Sequence, residues 1–264
     1  MDLQLDGKLA LVTGSTAGIG LAIATALAKE GSRVIVNGRM PARVDAAIRR
    51  IRDDYSGVQL EGFVGDLATP EAVDALVHRF DLVDVLVNNL GTYAPQPFEE
   101  VTDADWYRII ETNFMSGVRL SRHYLPRMKR AGWGRVVFIS SESAVNIPVE
   151  MIHYGVTKTM QVALARGLAE TTAGTAVTVN SVLAGPTRSE GVDEYIAGVA
   201  QAKHMAAAEV ERQFFQTVRP TSLLQRFATV DEVAAIVAFV ASPLSLATNG
   251  AALRVDGGVV RSIL

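Results

Sequence analysis

The sequence predicts an α/β protein, a doubly wound parallel sheet of seven strands with helices on both faces. Short β-branched runs alternate with helix-period segments from one end of the chain to the other. Most of those runs are continuous in Val, Leu and Ile, as strands covered on both faces are. Of 264 residues, 49% are hydrophobic and 20% charged, which fills a large core and excludes disordered, collagen-like and coiled-coil chains. The length permits one large domain or two small ones at a prior of ~150 residues each. No composition shift, repeat or low-complexity tract marks a linker, so the reading is one domain over 1–264.

Taken in order, the expected strands are 8–13, 33–37, 60–64, 83–88, 136–140, 177–182 and 252–256. After the first, Ile19, Ala22, Ile23, Ala26 and Leu27 recur at three and four residues, and Gly31 follows where a left-handed cap belongs. Thr69-Pro70 opens a second helix with a cap and a proline at the first position. Thr102-x-x-Asp105 and Thr229-x-x-Glu232 open two more as capping boxes. The stretch 190–225 breaks the rhythm, being helical in composition with no strand, and reads as a substrate-side insertion. Its Tyr195, Met205, Phe214 and Phe215 suit an apolar lid, an oligomer contact or plain core.

Charge and composition remove several functions. With 25 basic and 28 acidic residues the net charge is −3, and no run of cations offers a face to nucleic acid. Zero cysteines exclude disulfides, thiolate zinc, iron–sulfur clusters and thiol nucleophiles, and four scattered histidines give no metal-site spacing. The first residues are acidic where a secretory signal is basic, and the longest apolar run, 233–241, is about half of the ~18 residues a membrane span requires. A cytoplasmic protein with no membrane or nucleic-acid partner is expected.

Thr13-Gly14-Ser15-Thr16-Ala17-Gly18-Ile19-Gly20 joins the first strand to the first helix. Glycine there lets the backbone turn sharply and approach a pyrophosphate, while the helix start offers free N–H groups and a partial positive charge. In that position the motif marks a Rossmann-type dinucleotide site. An acid ~20 residues on would grip a ribose 2′-hydroxyl, but the second strand ends Asn37-Gly38-Arg39. Arginine suits a 2′-phosphate, so NADP(H) is favoured over NAD(H). Asp66, ending the third strand, is placed for the adenine amino group or as a turn residue.

Tyr154 and Lys158 are four residues apart and share a helix face. Six tyrosines and five lysines in 264 positions would produce about 0.1 such pairs by chance. Ser141 stands thirteen residues before Tyr154, at the carboxyl end of the fifth strand, where open α/β sheets bind ligands. These types suit hydride chemistry at a carbonyl. A phenol can protonate the developing alkoxide, a neighbouring cation eases the reverse step against a pKa of ~10, and a serine hydroxyl can bond the substrate oxygen.

The turn T-G-S-T-A-G-I-G, Asn88-Asn89-Leu90-Gly91, Asn113, Ser141, Tyr154-x-x-x-Lys158 and the closing Val255-Asp256-Gly257-Gly258 together resemble the short-chain dehydrogenase/reductase family, over nearly the whole chain. The resemblance implies a nicotinamide-dependent oxidoreductase acting on a small carbonyl or alcohol. Tyr154 would be its acid/base, Ser141 its partner, Lys158 the ribose ligand and Asn113 the holder of a relay water. Gly14, Ser15, Gly18, Ile19, Gly20, Arg39, Asp66, Leu67, Asn89, Gly91, Gly185 and Thr187 would line the cofactor with Tyr154 and Lys158. A homodimer or homotetramer is implied as well. Alternatives are a 3-oxoacyl-thioester reductase with the same residues, and a non-catalytic dinucleotide-binding sensor, which the intact Ser141, Tyr154 and Lys158 disfavour.

Three departures stand out. Leu90 replaces the family's alanine, Ala184-Gly185-Pro186-Thr187 replaces a proline-glycine pair, and Ser15, Thr16 and Ala17 carry no basic residue inside the turn. His153, about 100° round the helix from Tyr154, reads as packing or surface and not as a general base. The cluster from Arg127 through Arg130 to Arg135 reads as a solvated helix end. Glu142 reads as a pocket acid or a strand-end acid facing water.

Overall fold

The computed structural model describes residues 1–263. Along it run β1 (Leu9–Val12), α1 (Gly18–Lys29), β2 (Arg33–Gly38), α2 (Pro41–Asp54), β3 (Leu60–Val64), α3 (Pro70–Arg79), β4 (Val85–Asn88), α4 (Asp103–Ile110), α5 (Ser116–Ala131), β5 (Gly134–Ser141) and α6 (Ile152–Glu170). There follow β6 (Val177–Ala184), β7 (Thr187–Arg188), α7 (Glu190–Lys203), α8 (Ala207–Thr217), β8 (Ala228–Thr229), α9 (Val230–Ala241) and β9 (Ala252–Val255).

The seven strands read from the sequence pair in parallel in the order β3-β2-β1-β4-β5-β6-β9. Their continuous apolar runs serve two cores at once. Along β1, Ala10 and Val12 face α1, α2 and α9, whereas Leu11 faces α3, α5 and α6. Strand β4 repeats this, with Val85 and Val87 on the first side and Leu86 on the second. At ~1.5 to 3 kcal/mol for each large apolar side chain buried, these two layers hold the sheet. The run 233–241 lies within α9, packed on α1. Among the described residues no helix is long and apolar enough to cross a membrane, and no group of His, Cys, Asp or Glu is arranged to hold a metal ion.

The expected caps form. Thr69 accepts from the Ala72 N–H, both capping boxes close reciprocally, and Gly31 follows α1 at φ +83°. Strand β5 starts two residues before the reading and ends one after it, and β6 ends two residues after it. They pair with each other over eight residues, and polar members such as Asn180 are satisfied there, donating to Thr248 O and accepting from Ala251 N–H. Strand β4 starts late because Asp84 turns its carboxylate onto the Leu9 N–H at 2.8 Å.

Arg135 corrects the expectation of a solvated basic helix end. Arg127 pairs with Asp81 at the surface, and Lys129 and Arg130 are exposed, but Arg135 lies on β5 and is 1% exposed. Its guanidinium donates to Ser242 O, Gly134 O and Ala176 O and stacks on Trp133.

Residues 190–225 are helical as read. The pair β7 and β8, with Thr187 beside Ala228 and Arg188 beside Thr229, clasps the two ends of this segment at the carboxyl end of β6. Two-residue strands leave no sequence signal. Phe214, Phe215 and Phe227 pack ring to ring with Ile196, Val210 and Met205 in a small core of their own, while Tyr195 stays exposed.

Candidate active site

The strand order reverses between β1 and β4, opening a crevice at the carboxyl ends of the strands. The glycine turn enters it. Gly14 at φ +61° and Gly18 at φ +54° adopt a conformation that side chains disfavour. Gly20 answers a different demand, since a Cβ there would lie 2.5 Å from both Asn89 Nδ2 and Gly14 O. The first turn of α1 carries neither a side-chain cap nor an acid, so its N–H groups remain free for an anion. This fits a dinucleotide phosphate.

The turn is held by Asn37 and Thr13, to which the sequence reading gave no role, together with Asn89. Asn37 Oδ1 accepts from the Gly14 N–H at 3.1 Å, and its Nδ2 donates to Phe63 O and Gly65 O. Thr13 Oγ1 accepts from the N–H groups of Asn89 and Leu90 at 2.9 Å, while Asn89 Nδ2 donates to Thr13 O and Gly14 O. A lone asparagine inside an apolar strand was the available signal for Asn37. Changing Gly20 to Ala should push this stitched turn apart, weakening NADPH binding more than about tenfold and lowering the Tm. Nucleotide titration and thermal melting check both.

Several expected cofactor residues need correction. Ser15 is fully buried, with its Oγ donating to Val12 O and accepting from the Asn37 N–H, and its own N–H donating to Asn37 O. It braces the turn and has no donor left for a phosphate. Leu67 buries its side chain in the core with Phe63, so only its backbone can face a ligand. Asp66 accepts from the Ala68 N–H as a turn residue. Ile19 is half-buried at the head of α1, and Arg39 is exposed just past β2. Preceding it, Gly38 allows the strand to abut the turn, where a Cβ would fall 2.5 Å from Thr16 Cγ2.

Strand β5 and helix α6 carry the hydroxyls and the ammonium. Ser140 Oγ donates to Lys158 O at 2.9 Å, and Lys158 Nζ donates to Ile139 O at 2.8 Å and to Gln161 Oε1 at 3.3 Å. Gly155 lets the helix close on the loop after β5, where a Cβ would meet Ile147 Cγ2 at 2.7 Å. The half-buried Tyr154 thereby has Ser141 acting on its phenol, and Lys158 Nζ lies 5.6 Å from its ring centroid. Burial pushes the Tyr154 phenol well above its ordinary value and pulls the Lys158 ammonium down to about 8. Tyr93 meets the Tyr154 ring edge-on.

Asn113 sits not in an ordinary helix but in a π-helical turn, Glu111–Met115, between α4 and α5. Its side chain accepts from the Thr92 N–H and donates to Thr92 O and Thr157 Oγ1. Its carbonyl accepts from Gln161 Nε2 at 2.5 Å, so Gln161 joins Asn113 to Lys158. A Cβ on Gly91 would lie 3.5 Å from Lys158 Nζ, and Leu90 packs on Gly14. The 88–91 segment thus connects the turn to the lysine. Gly185 is required by the closing motif, since a Cβ would lie 2.6 Å from Asp256 Cα, and Thr187 Oγ1 donates to Gly185 O. His153 is buried against Trp106, as packing predicts.

Glu142 overturns both of its expected readings. Only 4% exposed, its carboxylate accepts from Ser141 Oγ at 2.5 Å, Ser143 N–H at 2.7 Å, Ser143 Oγ at 2.9 Å and Arg219 Nε at 2.9 Å. No oxygen is left for a substrate cation. A separate groove between α3 and α5, lined by Val73, Val77, Arg119, Arg122 and Arg127, contains none of these groups.

The sheet order, the uncapped turn and the hydroxyl–ammonium cluster define an oxidoreductase of the doubly wound α/β class. The model of the short chain dehydrogenase family matches residues 8–200, and the chain belongs to that family. It is 46% identical to the uncharacterized oxidoreductase YvaG of Bacillus subtilis over the full length of both chains. It is 30% identical to a 3-oxoacyl-[acyl-carrier-protein] reductase of Aquifex aeolicus, covering 98% of this chain and 100% of that one. The crystal structure of L-sorbose reductase from Gluconobacter frateurii, complexed with NADPH and L-sorbose, superposes with a TM-score of 0.94 at 30% identity and full coverage of both chains.

Proposed function

We propose that this protein transfers a hydride between NADP(H) and a small carbonyl or alcohol. The observation that carries the reading is the convergence of Ser141, Tyr154 and Lys158 at the carboxyl end of β5, joined through Gly91 and Leu90 to the glycine turn. The dinucleotide would lie with its pyrophosphate on the first turn of α1 and its 2′-phosphate at Arg39, with Gly14, Gly18, Gly20, Asn89 and Gly91 leaving room for it. When bound, it supplies the hydride. Tyr154 delivers a proton to the substrate oxygen in reduction and removes it in oxidation, and Ser141 bonds that same oxygen. Lys158 holds the ribose and opposes the burial that keeps the phenol protonated. Asn113 fixes Thr92 and, through Gln161, the lysine.

A sugar-like or other small ketone is favoured by the likeness to a reductase crystallised with NADPH and L-sorbose, and a 3-oxoacyl thioester by the Aquifex aeolicus relative. A cytoplasmic assembly of two or four copies extends the same family reading. The test is oxidation of NADPH and, separately, NADH, followed by absorbance against L-sorbose, ethyl acetoacetate, cyclohexanone and a 3-oxoacyl thioester. Arg39→Asp should raise the KM for NADPH about 10- to 100-fold, the worth of a charge-assisted phosphate contact, and leave that for NADH within about threefold. Equal effects on both would remove the 2′-phosphate role.

A further inference from the structure

Ser141 has one hydroxyl proton, and the groups around its oxygen dictate where that proton goes. An ionised carboxylate can only accept hydrogen bonds, so the contact between Ser141 Oγ and Glu142 Oε2 takes that proton. One lone pair of Ser141 Oγ accepts from the Ser143 N–H at 3.1 Å. The other remains on the Tyr154 side. Glu142 cannot turn away, because Ser143 supplies two more donors and Arg219 supplies a charged one. Arg219 is itself 8% exposed, follows α8 at the end of the helical segment, donates to Val218 O and lies 3.6 Å from Glu150. Two opposite charges have been taken out of water directly behind the serine, an arrangement with a desolvation cost that apolar residues would avoid.

We propose that Glu142, anchored by Arg219, is a positioning residue that holds the Ser141 proton and presents the one remaining lone pair of Ser141 to Tyr154 or to substrate as a hydrogen-bond acceptor. This rests on the proposed roles of Tyr154 and Ser141. Before Tyr154 takes its proton, an alcohol can donate its O–H to the one lone pair that Ser143 leaves on Ser141, in place of Tyr154, whereas a ketone gains a donor from Ser141 only when Ser141 leaves Glu142. The ion pair also ties the 190–225 segment to the serine, so that movement of that segment reaches the proton of Ser141. The overall equilibrium is untouched, and the effect falls on relative binding of alcohol and ketone.

The groups that act on the Tyr154 phenol are Ser141, Glu142, Tyr93 and Arg219, with Lys158 beside the ring. Glu142 opposes the phenolate and Arg219 favours it. The experiment compares Glu142→Gln, Arg219→Met and the doubly neutral Glu142→Gln/Arg219→Gln enzyme on the ketone–alcohol pair with the highest turnover in the panel above. For alcohol oxidation, which requires phenolate, the ascending limb of kcat against pH should move down by about one unit in Glu142→Gln. It should move up by a similar amount in Arg219→Met and return to the native position in the double variant. In Glu142→Gln and in the double variant the ratio of alcohol to ketone KM should rise about five- to tenfold, the worth of one hydrogen bond. Unmoved limbs and an unchanged ratio would overturn the proposal and leave a purely structural pair. Should a single variant fail to fold, the double variant, isosteric in part and free of buried net charge, decides by its KM ratio alone. Tyr154→Phe run in parallel separates the two readings: full activity there removes the acid/base role, whereas an inert Tyr154→Phe beside unmoved Glu142 variants removes only this inference.

Discussion

Tyr154→Phe is expected to lower kcat/KM about 10³-fold while NADPH binding changes by less than about twofold. The substitution removes one oxygen and leaves the ring, its edge contact with Tyr93 and the helix that holds it. Burial already holds this phenol in its protonated form, which suits delivery of a proton to a developing alkoxide. A general acid contributes about 10²- to 10⁴-fold in rate. Progress curves with NADPH, together with a nucleotide titration on the same preparation, make the measurement. Activity within a factor of ten of the native protein would discard Tyr154 as the proton donor.

Lys158→Met should act in opposite directions on turnover and on stability. Turnover should fall by about 10³-fold, because the ammonium that orients the ribose and eases phenolate formation is gone. Stability of the nucleotide-free protein at pH 7 should rise. Lys158 is 4% exposed, and burial lowers its value from 10.5 to about 8 in the folded chain. A lysine depressed in the folded state costs stability in full below its folded value, and the cost disappears as pH climbs from about 8 to 10.5. Methionine carries no such cost. After allowing for the lost bonds to Ile139 O and Gln161, a gain of about 2 kcal/mol at pH 7 is expected, fading as pH climbs from about 8 to 10.5. Thermal melts from pH 6 to 11 test this, and a lower Tm for the methionine variant at pH 7 would show that the ammonium stabilises the free chain.

That a buried lysine should cost its own fold stability follows from where it sits, and position is what the sequence conveyed least evenly. All seven main strands were legible, since a parallel sheet covered on both faces demands unbroken apolar runs. The capping boxes at Thr102 and Thr229 were legible because a cap depends on residues three apart. The four-residue spacing of Tyr154 and Lys158 needed only the helical period. Arg135 was misplaced because a basic residue after a basic helix end looks solvated until Ser242, Gly134 and Ala176 are brought around it. Ser15 looked free for the same reason, its partners lying on β2 and at the end of β1.

By itself, the sequence determined the α/β alternation, the helix starts, the glycine turn and the residue types available for hydride chemistry, because each depends on neighbours within a few positions. Only the tertiary structure decided that Asn37 and Thr13 hold the turn, that β7 and β8 clasp the helical segment, and that Arg219 reaches Glu142 across 77 residues of chain. Those choices are made by burial. A polar group withdrawn from water must take whatever partner the packed layers bring to it, and the identity of that partner is a property of the fold and not of its local sequence.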